Sequence, residues 1–185
     1  FENEKIKAMR EMILADSGEG REAALNKLLP YQRQDFYGIL KCMDGKPVNI
    51  RLLDPPLHEF VPRTEEKKAE VARELGVSVE EIEKRGESLH EVNPMMGHRG
   101  VRLHVSFPLI AEVEYRAIFT ATAELQAEGF NPIPEIMIPV TISARELSFQ
   151  KAICDRVKAE VEGKYSTTIH YQFGTMIEIP RAALT

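Results

Sequence analysis

An α/β fold with parallel strand pairing is what this sequence predicts, and three observations predict it. Short β-rich apolar runs near 47–53, 133–140 and 167–179 alternate with stretches of helical periodicity. The connections between those runs are long enough for parallel crossovers, which need a dozen or more residues. The run at 133–140 is short, apolar and set among prolines, the pattern of a strand buried on both faces of a parallel sheet.

The elements follow in order. Residues 2–15 read as a helix, with Ile6, Met9 and Ile13 on one face and Glu2 and Glu4 at the positive end of the dipole. A second helical run from Glu19 carries Ala24, Leu25, Leu28 and Leu29 to Pro30, where the missing backbone donor predicts a restart. Phe36, Leu40 and Met43 continue one face until Asp44-Gly45 turns the chain. Val48, Ile50 and Leu52 then alternate with Asn49, Arg51 and Leu53 in a strand that Asp54-Pro55-Pro56 stops, because proline cannot donate to a ladder. A first strand near residue 47 implies that the natural beginning of the protein lies upstream.

Charge dominates from Thr64 to Glu91. Thr64 caps one short helix ending at Gly76, Ser78 and Glu81 form a capping box for the next, and the apolar stripes are thin: Val71 with Leu75, Ile82 with Val79. We read 64–91 as a solvated helical excursion. NPMMGHRG at 93–100 is a loop holding Arg99 between breakers, and Pro108 opens a helix with Val113, Ala117, Ala121 and Leu125 inward, ending at Gly129. Ser143 and Glu146 cap another helix whose inner face is Phe149, Ile153, Val157 and Val161, with Gly163 beyond it. In the last β-rich run Glu178 interrupts an apolar strand just before Pro180, a costly place for a carboxylate unless it is paired, hydrogen-bonded or bound to a metal.

With 185 residues, 43% hydrophobic and 29% charged, the chain suits one core rather than two domains, and residues 1–185 are treated as one piece. A net charge of −5 argues against nucleic acid or an anionic membrane as partner. No run approaches the roughly 20 apolar residues of a membrane span. Cys42 and Cys154 have no CxxC partner and are expected as buried free thiols in a reducing, cytoplasmic setting. Taken alone, Arg51 reads as a surface arginine paired with Asp54 or Glu59.

Four motifs read together change that. RLLDPPLHEF at 51–60, NPMMGHRG at 93–100, PEIMIP at 134–139 and GTMIEIPRAAL at 174–184 resemble the pyruvate phosphate dikinase family, in its C-terminal phosphoenolpyruvate/pyruvate-binding (β/α)₈ barrel. Phosphoenolpyruvate synthase and enzyme I of the sugar phosphotransferase system share the barrel, the NP-x-x-G-x-R loop and the strand with Glu178. The DPPLHEF continuation and the excursion after it look like the dikinase. The resemblance implies a partial TIM barrel of about three strands, roughly the third to fifth, with flanking helices.

It also implies that Arg51 contacts the phosphoryl group, that Arg99 contacts the anionic substrate, and that Glu178 is a Mg²⁺ ligand at the substrate site. The types suit those tasks, since planar arginine forks match phosphate and carboxylate oxygens and a hard cation takes carboxylate oxygen. The family's RTEHMF-like arginine, GTNDLTQ-like aspartate and CGEHGG-like acid/base cysteine are missing here, as is the phosphohistidine. No catalytic residue is therefore expected in this chain, and the fragment alone is expected to be silent. Its partners would be phosphoenolpyruvate, pyruvate and the phosphohistidine domain of the same polypeptide, in a homo-oligomer, in the cytoplasm or, in a plant, the plastid. A stand-alone Mg²⁺-dependent carbon–carbon lyase on a related barrel, and an inert module associating through its edges, are the competing readings.

Overall fold

The computed structural model describes residues 3–15, 17–54, 61, 62, 64–89, 93 and 97–185, with the backbone alone at 3, 74, 75, 88 and 89. Glu2, residues 55–60 of the first motif, His90 and residues 94–96 of the glycine-flanked loop lie outside them. The chain divides into two compact units, Phe1–Leu28 with Pro55–His98, and Leu29–Asp54 with Arg99–Thr185.

The first unit is helical. It holds α1 (Asn3–Leu14), the opening of α2 (Gly18–Cys42), α3 (Glu65–Leu75) and α4 (Val79–Leu89). Met9, Met12, Ile13 and Leu14 are the buried face of α1, and Ala24, Leu25 and Leu28 that of the start of α2. The caps of the charged excursion form as their sequence directs. Thr64 accepts a hydrogen bond from the Lys67 N–H, Gly76 takes a left-handed φ of 68° at the end of α3, and Ser78 and Glu81 bond each other's backbone reciprocally. Val71 and Ile82 are fully buried, so the thin stripes do pack.

Pro30 does not restart the helix: α2 runs unbroken from Gly18 to Cys42. Proline removes one backbone hydrogen bond at a cost of about 3 kcal/mol. Leu28 before it and Leu40 after it are both buried, and each such side chain returns about 1.5–3 kcal/mol, enough to hold the helix together.

The second unit is α/β. Strands β1 (Pro47–Arg51), β2 (Ile133–Ile138) and β3 (Gln172–Thr175) form a parallel sheet in the order β1-β2-β3, with Arg51 opposite Met137 and Met137 opposite Gly174. Helices α5 (Gly100–Ser106), α6 (Pro108–Ala127) and α7 (Ala144–Tyr165) are followed, after β3, by the short α8 (Pro180–Leu184). The core joins Ile50, Leu52, Ile136 and Ile138 of the sheet side to Tyr115, Ile118 and Phe119 of α6 and Cys154, Val157 and Val161 of α7. Ser143 and Glu146 close the expected capping box on α7.

Several expectations are corrected here. Helix α5 was not expected; its seven residues are too few for a periodic signal, yet Gly100, Val101, Leu103 and His104 are buried. In β2 one face, Pro134, Ile136 and Ile138, is buried, while Ile133, Glu135 and Met137 are half-buried, so burial is one-sided among the described residues. The inner stripe of α7 is Gln150, Ile153, Cys154, Val157 and Val161, whereas Phe149 is 42% exposed; the stripe starts one residue later than its apolar letters suggest. That helix passes through Gly163 and ends at Ser166, which takes the left-handed cap with φ 51°. Strand β3 stops at Thr175 because its neighbour β2 ends at Ile138, leaving Glu178 outside the strand. Cys42 is exposed at the end of α2. Cys154 is buried, and desolvation pushes its thiol up to about 12. No described helix is long and apolar enough to cross a membrane.

Candidate functional site

Three parallel strands bring their carboxyl ends to one edge of the sheet, and there the structure places Arg51, Arg99 and Glu178. Arg51 is the last residue of β1, with half of its side chain exposed. The ladder continues for one more bond, from the Leu52 N–H to the Met137 carbonyl at 3.2 Å. The next donor, Leu53 N–H, then turns away from the sheet to Glu114 Oε1 on α6, at 2.8 Å. That turn sets Asp54 in a buried position.

Asp54 is the hinge between the two arginines. Arg99 Nε donates to the Asp54 carbonyl at 3.1 Å and to Oδ1 at 3.2 Å, while Nη2 donates to Oδ2 at 2.8 Å. This forked, charge-assisted pairing fixes the plane of the guanidinium. Arg51 Nη1 stands 3.6 Å from the same Oδ2, too far for a hydrogen bond. One carboxylate, that of Asp54, thus faces two guanidiniums. Arg51 is the looser and more exposed of the two, its donors uncommitted to any hydrogen bond among the described residues.

The corner after β2 supports the other side of the edge. Val101 N–H donates to the Pro139 carbonyl at 3.1 Å, and Gly100, with φ 53°, lies so close that a Cβ there would meet Val140 Cγ2 at 2.7 Å and the Pro139 oxygen at 3.0 Å. Only glycine lets the Arg99 turn approach this corner. Val140 itself has φ 62°, a conformation costing a β-branched residue on the order of 1–3 kcal/mol. Its N–H donates to Glu178 Oε1 at 2.8 Å. The Arg99–Gly100 turn, through Pro139 and Val140, and Glu178, through the Val140 N–H, are therefore seated on the same corner.

Glu178 is exposed, and its Oε2 accepts no hydrogen bond among the described residues. An oriented carboxylate with a spare oxygen is a hard donor that fits a divalent cation such as Mg²⁺. Among the described residues, no three His, Cys, Asp and Glu side chains come together in a group that could hold a metal ion.

Sequence reasoning weighed Asp54 only as a partner for Arg51 and missed its clamp on Arg99. It also missed Glu114 and His104, both buried, with His104 Nε2 lying 3.1 Å from Glu114 Oε2. The available signal was Glu114 itself, an acid between Val113 and Tyr115 in a helix otherwise buried almost continuously from Ile110 to Leu125.

The family described as PEP-utilising enzyme, PEP-binding domain, matches residues 1–185. The chain belongs to the PEP-utilising enzymes, within that domain. It is 52% identical over 184 residues to the pyruvate, phosphate dikinase of Giardia intestinalis and 48% identical over 186 residues to that of Clostridium symbiosum. With the chloroplastic pyruvate, phosphate dikinase 1 of Arabidopsis thaliana it shares 50% identity over 186 residues. Each comparison covers 100% of this chain but 21%, 21% and 19% of the respective relatives, so the chain spans about a fifth of their length.

Proposed function

We propose that this chain is the central part of the phosphoenolpyruvate/pyruvate-binding (β/α)₈ barrel of a pyruvate, phosphate dikinase, contributing strands three to five and one wall of the substrate site. The whole enzyme would interconvert ATP, pyruvate and phosphate with AMP, phosphoenolpyruvate and diphosphate through a phosphohistidine on another domain of the same polypeptide. The observation that carries this reading is the convergence of Arg51, Arg99 and Glu178 on one sheet edge, in a chain about half identical to dikinases over its full length. The half-exposed inner face of β2 also suits a strand whose other side is covered by further strands of a closed barrel.

The residues divide the work by how firmly they are held. Arg99, locked to Asp54, presents a fixed cation to the anionic substrate; Arg51, loosely held, swings its free donors onto the phosphoryl oxygens. Phosphoryl transfer depends mainly on positioning and charge neutralisation, which two guanidiniums supply. Glu178, aimed by the Val140 N–H, would hold Mg²⁺, with water and substrate oxygens completing the shell. When bound, that ion neutralises charge on the transferring group. The parent enzyme is proposed as a homo-oligomer.

The experiment uses the two half-reactions. In the full-length enzyme, Arg51→Ala and Glu178→Gln are expected to abolish phosphorylation of pyruvate while labelled ATP still phosphorylates the distant histidine. Loss of histidine labelling in a folded variant, or full pyruvate turnover in either, would overturn the assignment.

A further inference from the structure

We propose that Glu114, which touches no substrate, is a positioning residue for Arg99, acting through a closed circuit of buried contacts. The proposal rests on the reading of Arg99 as a ligand of phosphoenolpyruvate. The circuit is short. Arg99 is the N-cap residue of α5, and α5 carries His104, 0% exposed, to within 3.1 Å of Glu114 Oε2 on α6. Glu114 Oε1 accepts the Leu53 N–H at 2.8 Å, Leu53 precedes Asp54, and Asp54 closes the loop by gripping Arg99 through both its carbonyl and its carboxylate.

Nothing in the packing of α6 calls for an acid at this place. Its neighbours Val113 and Tyr115 are buried, and an apolar side chain would avoid the desolvation cost of a carboxylate. What the acid does supply is an acceptor for the first backbone donor that leaves the β1–β2 ladder. Without it the Leu53 N–H is left without its acceptor in a half-buried turn, and the peptide that carries Asp54 loses its anchor on the side away from the sheet. The His104 approach is close but lacks the alignment of a hydrogen bond, so the imidazole acts chiefly as a buttress that keeps Glu114 turned toward Leu53. A guanidinium displaced by a fraction of an ångström binds its oxyanion less well, so the effect is read in substrate affinity.

The test is made in the full-length enzyme with phosphoenolpyruvate as probe. Glu114→Met keeps the bulk and removes the acceptor, and it should raise both KM and Kd for phosphoenolpyruvate by about 10-fold while kcat changes far less. Glu114→Gln keeps an acceptor oxygen and should remain within about 3-fold of the parent, a rescue that general loss of packing would not produce. If Glu114→Met fails to fold, His104→Leu takes its place and should raise KM in the same direction. Unchanged KM and Kd in folded Glu114→Met, equal damage from Gln and Met, or an unaltered KM in His104→Leu overturns the proposal. Failure of the parent enzyme to bind phosphoenolpyruvate would instead overturn the proposed function, and this inference with it.

Discussion

The tightest steric statement in the structure concerns Gly100. A methyl group there has to occupy a left-handed φ and also press on Val140 Cγ2 and the Pro139 carbonyl, so Gly100→Ala is expected to cost about 2–4 kcal/mol. Urea denaturation of the purified protein measures it. Pairing the change with Val140→Ala should recover the part due to crowding and leave the part due to backbone strain, so a double-mutant cycle with zero coupling would show that the two residues do not press on each other. Arg51 could be placed at the end of its strand from sequence because the prolines that follow Asp54 stop the run, a local signal, whereas Glu178, read as part of the last strand, lies beyond its end. The clamp of Asp54 on Arg99 could not be placed from sequence, since it joins residues 45 positions apart through a turn that only the folded sheet creates. Glu114 and His104 escaped for a related reason: a buried polar pair has no periodicity, and its meaning depends on which backbone donor it meets.

Helices α3, α4 and α7 were legible because their ends are written in capping residues that act within four positions. Where packing decides, legibility fell: α2 tolerates Pro30, α5 is too short to show a stripe, and α7 turns Gln150 inward to meet the Tyr115 hydroxyl at 3.0 Å in place of Phe149. The outer faces of α6 and α7 are tied by a lattice in which Glu112 bonds Arg156 and Arg116, and Glu160 bonds the same two arginines. The Arg156 hydrogen bond, then that of Arg116, holds Glu112 below the ordinary carboxylate value of 4.5, against partial burial that pushes the other way. A lowered folded-state value stabilises above 4.5 and is lost as pH falls through the depressed value. The thermal midpoint of the parent should therefore exceed that of Glu112→Gln near neutrality, and the gap should close in acid. A gap independent of pH would assign the difference to packing instead.

In the sheet as described, β1 and β3 each have one unpaired edge, and only β2 is paired on both sides. The barrel expected around it would cover those edges. The parallel register has a further consequence, for the order of assembly. Pro47 pairs with Ile133, 86 positions further along the chain, whereas Glu135 pairs with Gln172, 37 positions away. Loop closure alone makes the first encounter about threefold rarer than the second. Contacts between β2, α7 and β3 are also served by a helix whose capping box forms locally, so that half nucleates early. Pulsed hydrogen exchange during refolding should protect the amides of β2 and β3 before those of Asn49 to Leu53, and simultaneous protection would count against this order. Val140 and Glu178 belong to the early half, and Arg51, Asp54 and their hold on Arg99 to the late one. An intermediate would then own the carboxylate before it owns the arginine pair, a chain able to recruit a cation during folding some time before it can recognise an anion.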